Sequence, residues 1–312
     1  MTHRSQPVAF GVDLGGTSAR VAAVDREANI LAFERTPTAR IASGDRFLAW
    51  LRNAIESIIS ELAIPLPFDL PVGVAIAGLV DCTSGTVTRS INLPFLQGWP
   101  LAIEIEHVLG TSIVVMSDAE AATWGEFFMC KPAPKRFVHL RIGTGVALGV
   151  IIDGCFEDIE PGRTTHAKLL IVDDSASAAL CRCGLSGCLE TIASGTILAA
   201  RTGELGLGES VEALDRIARE GHSEAVAIIE RVAAAISRAI ERVVLHYEPE
   251  TICLGGGLVE RMPFLAQAIR RATGRDADTS DQWPSLEAAR LGDEAGVIGA
   301  AISAWRADRS AS

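Results

Sequence analysis

No uninterrupted apolar run in the 312-residue chain approaches the roughly 20 residues that a membrane-crossing helix requires. A bilayer span is not expected, and the protein should be soluble. The opening residues, Met1 to Pro7, lack the apolar stretch and small-residue cleavage site of a secretory signal, so a cytoplasmic location is expected. Positive charge is also scarce: 28 Lys and Arg stand against 39 Asp and Glu, a net charge of −11. Duplex binding draws on clustered cations, so no nucleic-acid partner is expected. A small anion remains recognisable through local backbone dipoles and a metal ion. The seven cysteines are odd in number and sit in a chain of intracellular character, which argues against a disulfide framework. No low-complexity segment or extended linker divides the chain.

What is present is apolar residue in quantity, 48% of the chain, over a length that suits two packed α/β lobes rather than one core. Val8 to Asp13, Ala19 to Val24 and Ile30 to Glu34 read as a three-strand meander. From Gly44 to Leu62, apolar residues recur at three- and four-residue spacing (Phe47, Leu51, Ile55, Ile58, Ile59 and Leu62 among them), which predicts a helix. Val72 to Ile76 and Ser112 to Met116 read as buried strands, the second feeding a helix that begins at Asp118. The pattern then starts again, with strand Phe137 to Arg141, turn Gly143-Thr144-Gly145 and strand Gly149 to Asp153. Mainly helical sequence follows from Gly195 to His246. Strand Thr251 to Leu254 enters Gly255-Gly256-Gly257, and a last helix covers about Ala295 to Arg306. Two lobes with the same opening are expected, residues 1–117 with 294–312 and residues 118–293, around a cleft with hinges near Ser117 and Asp293.

Three glycine turns carry the chemistry. Asp13-Leu14-Gly15-Gly16-Thr17 lies between strands, where glycine lets the backbone turn sharply and aim N–H groups at a phosphate. Thr17 adds a hydroxyl, and Asp13 at the strand end suits a Mg²⁺-bound water. A tight hairpin with a turn aspartate is the plainer reading of this element alone. Gly143-Thr144-Gly145 repeats the strand-turn-strand setting, and paired phosphate loops are far less ambiguous than one. Gly255-Gly256-Gly257 follows a buried strand and suits close approach of a flat ring or a phosphate, or a simple strand-to-helix turn. Asp118 stands at a strand end, where a base or a helix cap is equally at home. Cys181, Cys183 and Cys188 share a glycine-rich loop, as candidate metal ligands or as three unrelated buried thiols.

Together with Gly73-Val74-Ala75-Ile76-Ala77-Gly78, Asn92-Leu93-Pro94 and the run from Cys181 to Glu190, these elements resemble the ROK family (repressors, open reading frames and sugar kinases) over nearly the whole chain. The resemblance implies a hexokinase-type fold of two actin-like, ribonuclease H-like domains. It implies transfer of the ATP γ-phosphoryl group to a hexose hydroxyl, glucokinase-like at the 6-hydroxyl, with Mg²⁺, in a homodimer or homotetramer. Asp118 matches the catalytic base. Gly78, Asn92, Ser117, His166 and Glu190 match the sugar site, and Asp13, Gly15, Gly16, Thr17, Gly143, Thr144, Gly145, Gly255, Gly256 and Gly257 match the ATP site. The three cysteines resemble a structural zinc site completed by a histidine. The repressor branch carries a winged helix before the first glycine turn, whereas only a handful of residues precede Val8, so the kinase branch is expected.

The departures from the family lie around the sugar. Family kinases usually read Glu-x-Gly-His ahead of the cysteines, and this chain reads Gly162 to Asp173 without that motif. With Val172-Asp173 held in register, His166 takes the place of the glutamate and Leu169 that of the zinc histidine. A shift of three residues instead makes His166 the zinc ligand and puts Arg163 at the glutamate position. Ser117 replaces the usual Asn before the base, and Ser18 replaces a frequent Lys. Resemblance to N-acetylmannosamine and allose kinases at these points makes either an alternative to a glucokinase. A non-catalytic sugar sensor and a sugar-independent actin-like ATPase are the alternatives of other classes.

Overall fold

Strands β1 (Val8–Leu14), β2 (Ser18–Asp25) and β3 (Ile30–Pro37) form an antiparallel meander. The computed structural model describes residues 8–64, 70–157, 169–206, 208, 210–274 and 283–311. Helix α1 (Gly44–Glu61) follows, capped by Ser43, whose hydroxyl accepts from the Arg46 amide at 3.4 Å. Phe47, Leu51, Ile55 and Ile58 form its buried stripe, each contributing roughly 1.5–3 kcal/mol through lost apolar exposure. The chain then makes β4 (Val72–Ile76), the hairpin β5 (Leu79–Asp81) and β6 (Thr86–Arg89), α2 (Leu101–Leu109), β7 (Ile113–Ser117) and α3 (Asp118–Met129). β4 and β7 join β1 in parallel, so the first sheet has the order β3-β2-β1-β4-β7.

The second unit repeats this plan. β8 (Arg136–Ile142), β9 (Val146–Ile152) and β10 (Cys155–Phe156) are antiparallel, and α4 (Glu190–Ala193), α5 (Gly195–Glu204), α6 (Val211–Arg219) and α7 (Ser223–Tyr247) follow. β11 (Thr251–Gly255), α8 (Gly257–Arg261), α9 (Pro263–Ala272) and β12 (Ser285–Ala288) complete it. β11 and β12 add in parallel to β8, giving the order β10-β9-β8-β11-β12. Its core includes Val138, Leu140, Leu148 and Val150 of the sheet with Ile229, Ile236, Ile240, Leu265 and Ile269 of α7 and α9.

The last helix, α10 (Ala295–Ala311), returns to the first unit. It lies so close to β1 and β4 that a Cβ at Gly11 or Gly73 would stand 1.8 or 1.9 Å from the carbonyl oxygens of Val297 and Ala300. α3 packs on α10 in turn, so among the described residues the first unit extends to Ala133 and resumes at Glu294, and the second holds 134–157 and the described residues from 169 to 293. The division expected at Ser117 thus differs by one helix from the boundary between these units. Among the described residues, no helix is long and apolar enough to cross a membrane. His166 and Arg163 lie outside the described residues.

Candidate active site

In the first unit, strand register gathers the expected residues. Leu14 of β1 pairs with Ile76 of β4, and Ile76 pairs with Ser117 of β7, all in parallel. The turn Gly15-Gly16-Thr17, the step Ala77-Gly78 and Asp118 thus leave adjacent strands at their carboxyl ends, the edge where α/β sheets bind ligands. The turn is braced by its neighbours: the Gly15 amide donates to Ser18 O at 3.0 Å, and the Thr38 hydroxyl donates to Gly15 O at 2.7 Å. Asp13 lies half-buried with Arg20 3.9 Å from its Oδ2, and a Cβ at Gly296 in the first turn of α10 would lie 3.1 Å from that oxygen.

The Asn92 loop rests against this turn, since a Cβ at Gly16 would meet Asn92 Cβ at 2.9 Å. What fixes the loop is Ser90, a residue no sequence signal singled out. Its buried hydroxyl donates to Ala77 O at 2.7 Å and accepts from the Leu93 amide at 3.1 Å, tying the loop to the exit of β4. Ser90→Ala leaves both partners without that bond, and such buried groups cost about 1–3 kcal/mol each. The expected result is a lower thermal midpoint, measured by thermal denaturation. An unchanged thermal midpoint in the variant would show that the loop holds its shape without Ser90.

Asp118 begins α3, yet it is Ser117 that caps the helix, accepting from the Glu120 amide at 3.1 Å. Asp118 Oδ1 accepts from the Ala119 amide at 3.0 Å. The cap role considered for Asp118 thus belongs to Ser117, whose oxygen, expected at the sugar, already holds a backbone amide.

In the second unit the Gly143–Gly145 turn meets two other elements. Gly143 O accepts from the Gly195 amide at 2.8 Å, and Thr144 O accepts from the Thr196 hydroxyl at 3.0 Å, so the first turn of α5 abuts it. The Thr144 and Gly145 amides enter none of these bonds. A Cβ at Gly143 would stand 3.9 Å from the Gly257 amide nitrogen, and Gly256 has φ of 94° with a hypothetical Cβ only 2.5 Å from Ile142 O. The Gly256-Gly257 step therefore lies directly against the phosphate-type turn. Glu190, expected at the sugar, also braces this turn: Oε2 accepts from the Val146 amide at 3.1 Å, and Oε1 pairs with Arg182 at 3.1 Å. On β8, burial, with the charge of Arg141, pushes His139 down to about 3. It stays neutral near neutral pH.

The sulfurs of Cys181, Cys183 and Cys188 all lie within 4.8 Å of one another, with Cys183 and Cys188 3.5 Å apart. Two thiolates on one tetrahedral zinc are separated by about 3.8 Å, so three corners of such a site are in place. Burial pushes the Cys181 and Cys188 thiols up. For Cys183 desolvation acts upward too, but bonds from the Leu185 amide and the neighbouring thiols bring it down. A cation held there would offset the cost of making all three thiolate. Ile171 bridges Cys188, and the Val172 amide donates to Gly187 O at 2.8 Å, so the strand-like segment before the cysteines runs beside their loop. Leu169 packs against the apolar core.

A five-stranded α/β plan used twice, each copy with a glycine turn after its first strand, defines the actin-like, hexokinase-type class of two-domain proteins. Within that class the chain belongs to the ROK family, whose profile matches residues 9–307. It is 27% identical over 295 residues to an N-acetylmannosamine kinase of Salmonella arizonae, covering 95% of this chain and 97% of that one. Its fold is similar to that of the ROK hexokinase from Thermus thermophilus, with TM-score 0.84, 26% identity and coverage of 97% and 99% of the two chains. A ROK family glucokinase from Streptomyces griseus, solved with glucose and AMPPNP, matches with TM-score 0.73 and 26% identity over 96% of this chain and 99% of that one.

Proposed function

We propose that the protein is an ATP-dependent sugar kinase that phosphorylates a hexose, with the 6-hydroxyl as acceptor. The observation that carries this reading is the convergence of the Gly15–Thr17 turn, Gly78 and Asp118 at one sheet edge, with Asn92 held against the turn. Asn92 and Glu190 hydrogen-bond sugar hydroxyls, and Asp118 takes the proton of the attacking hydroxyl. As the new O–P bond forms, the bond from the γ-phosphorus to the ADP oxygen breaks. The Gly143–Gly145 turn, the first turn of α5 and Gly256-Gly257 receive the nucleotide. Bound with the nucleotide, Mg²⁺ would neutralise its phosphates, and Asp13 is the residue that would hold its water. Among acceptors, N-acetylmannosamine ranks beside glucose because a relative of that activity covers almost the whole chain, and allose is the further alternative because Ser117 replaces the usual Asn. Dimer or tetramer assembly belongs to the same reading.

A panel of hexoses, amino sugars and acetylated amino sugars, assayed for ADP release with ATP, tests it. Sugar-dependent ADP formation with one or a few of them is expected. Failure with every sugar would favour a sensor, and ATP hydrolysis indifferent to sugar would favour a plain ATPase. In the same reading the three cysteines and His166 would hold zinc, which would brace the loop. Metal analysis of purified protein is expected to find about one zinc per chain, lost in Cys188→Ser. Absence of zinc from the unsubstituted protein would remove the metal from the account.

A further inference from the structure

Arg182 lies in the cysteine loop, between Cys181 and Cys183, but its guanidinium reaches out of that loop. Nη2 stands 3.1 Å from Glu190 Oε1 and would lie 3.9 Å from a Cβ at Gly145. The other oxygen of Glu190 accepts from the Val146 amide at 3.1 Å and would lie 2.8 Å from the same Cβ. A carboxylate therefore stands directly against the turn whose amides are suited to phosphate. Left alone it would repel a polyphosphate across a few ångströms, where Coulomb energies are large. Arg182 matches that charge, and its side chain remains 68% exposed. The Glu190 contact occupies a minority of the guanidinium's donors, and the rest are open to a second anion in the planar geometry that suits phosphate. An ion pair this exposed adds little to stability, so bracing the fold is a poor account of it.

We propose that Arg182 is a phosphate-binding residue, receiving the polyphosphate chain of the nucleotide at the Gly143–Gly145 turn while it masks the Glu190 charge. This rests on the kinase reading above and adds to it a cation carried by the cysteine loop. Conformation of that loop, set by its three thiols, then bears on nucleotide affinity as well as on the sugar.

The test is equilibrium binding of adenosine, ADP and AMPPNP with Mg²⁺ to the full chain and to Arg182→Ala and Arg182→Lys, with zinc content and thermal midpoint measured on each. Charge-assisted hydrogen bonds are worth enough to predict AMPPNP affinity falling by about tenfold or more in Arg182→Ala. ADP affinity falls less, and adenosine affinity is unchanged. Arg182→Lys restores part of the loss, since a point charge remains. Equal weakening of adenosine and AMPPNP would assign Arg182 to bracing and overturn the proposal, as would unchanged AMPPNP affinity. Steady-state kinetics on the same variants that found the loss confined to the KM for sugar would also overturn it, placing the guanidinium at the acceptor. Failure of the unsubstituted protein to bind any nucleotide would overturn the kinase reading, and this proposal with it.

Discussion

Asp118→Asn is expected to lower turnover of the accepted sugar by about 10² to 10⁴-fold while leaving nucleotide affinity and the fold intact. The amide is nearly isosteric with the carboxylate and its oxygen can still accept from the Ala119 amide, so the local bond at 3.0 Å survives. The helix keeps its cap, because that function resides in Ser117 rather than Asp118. Loss of one negative charge in the first turn of α3 costs about 0.3–1 kcal/mol through the helix dipole, too little to unfold a domain. What the amide cannot do is take a proton from the hydroxyl as it attacks. The effect should therefore fall on kcat, with the KM for ATP nearly unchanged. Steady-state kinetics with the best sugar of the panel measures it, and full activity in the variant would refute the assignment of Asp118 as base.

Much of this site was legible because its parts are local. A glycine turn between two short strands announces itself in a few residues, and the recurrence of β1-turn-β2 as β8-turn-β9 revealed two copies of one plan. The amphipathic period of α1 placed that helix to within a residue of its observed end. Other features depend on contacts between distant segments. α3 was assigned to the second lobe because nothing in its own residues records that its partner is α10, far along the chain. The β5–β6 hairpin was missed because strands of three and four residues are too short for alternation to show. α2 begins after Pro100 with no capping side chain, and so lacks the usual start signal. Ser90 looks like any loop serine until Ala77 O and the Leu93 amide are seen on either side of it. Glu190 was read from resemblance as a sugar ligand, and its bond to the Val146 amide adds a structural duty that no spacing rule contains.

Gly256→Val is expected to abolish measurable nucleotide binding and to lower stability by a few kcal/mol. Two costs coincide at this position. The backbone has φ of 94°, where a β-branched residue carries strain of about 1–3 kcal/mol. The new Cβ would also stand 2.5 Å from Ile142 O, and a backbone carbonyl cannot swing aside as a flexible side chain can. Relief must come from moving the end of β8, and Ile142 immediately precedes Gly143. Any shift that accommodates the valine therefore displaces the Gly143–Gly145 turn, where Gly143 O and Thr144 O accept from the Gly195 amide and the Thr196 hydroxyl at distances near 3 Å. Gly274→Ala separates the two costs: its φ is 71°, and a Cβ there meets nothing within 4 Å. That variant should lose only about 1 kcal/mol in urea denaturation and bind AMPPNP as the unsubstituted protein does. If Gly256→Val binds AMPPNP equally well, the Gly256-Gly257 step lies away from the nucleotide, and the second glycine turn would have to act without it.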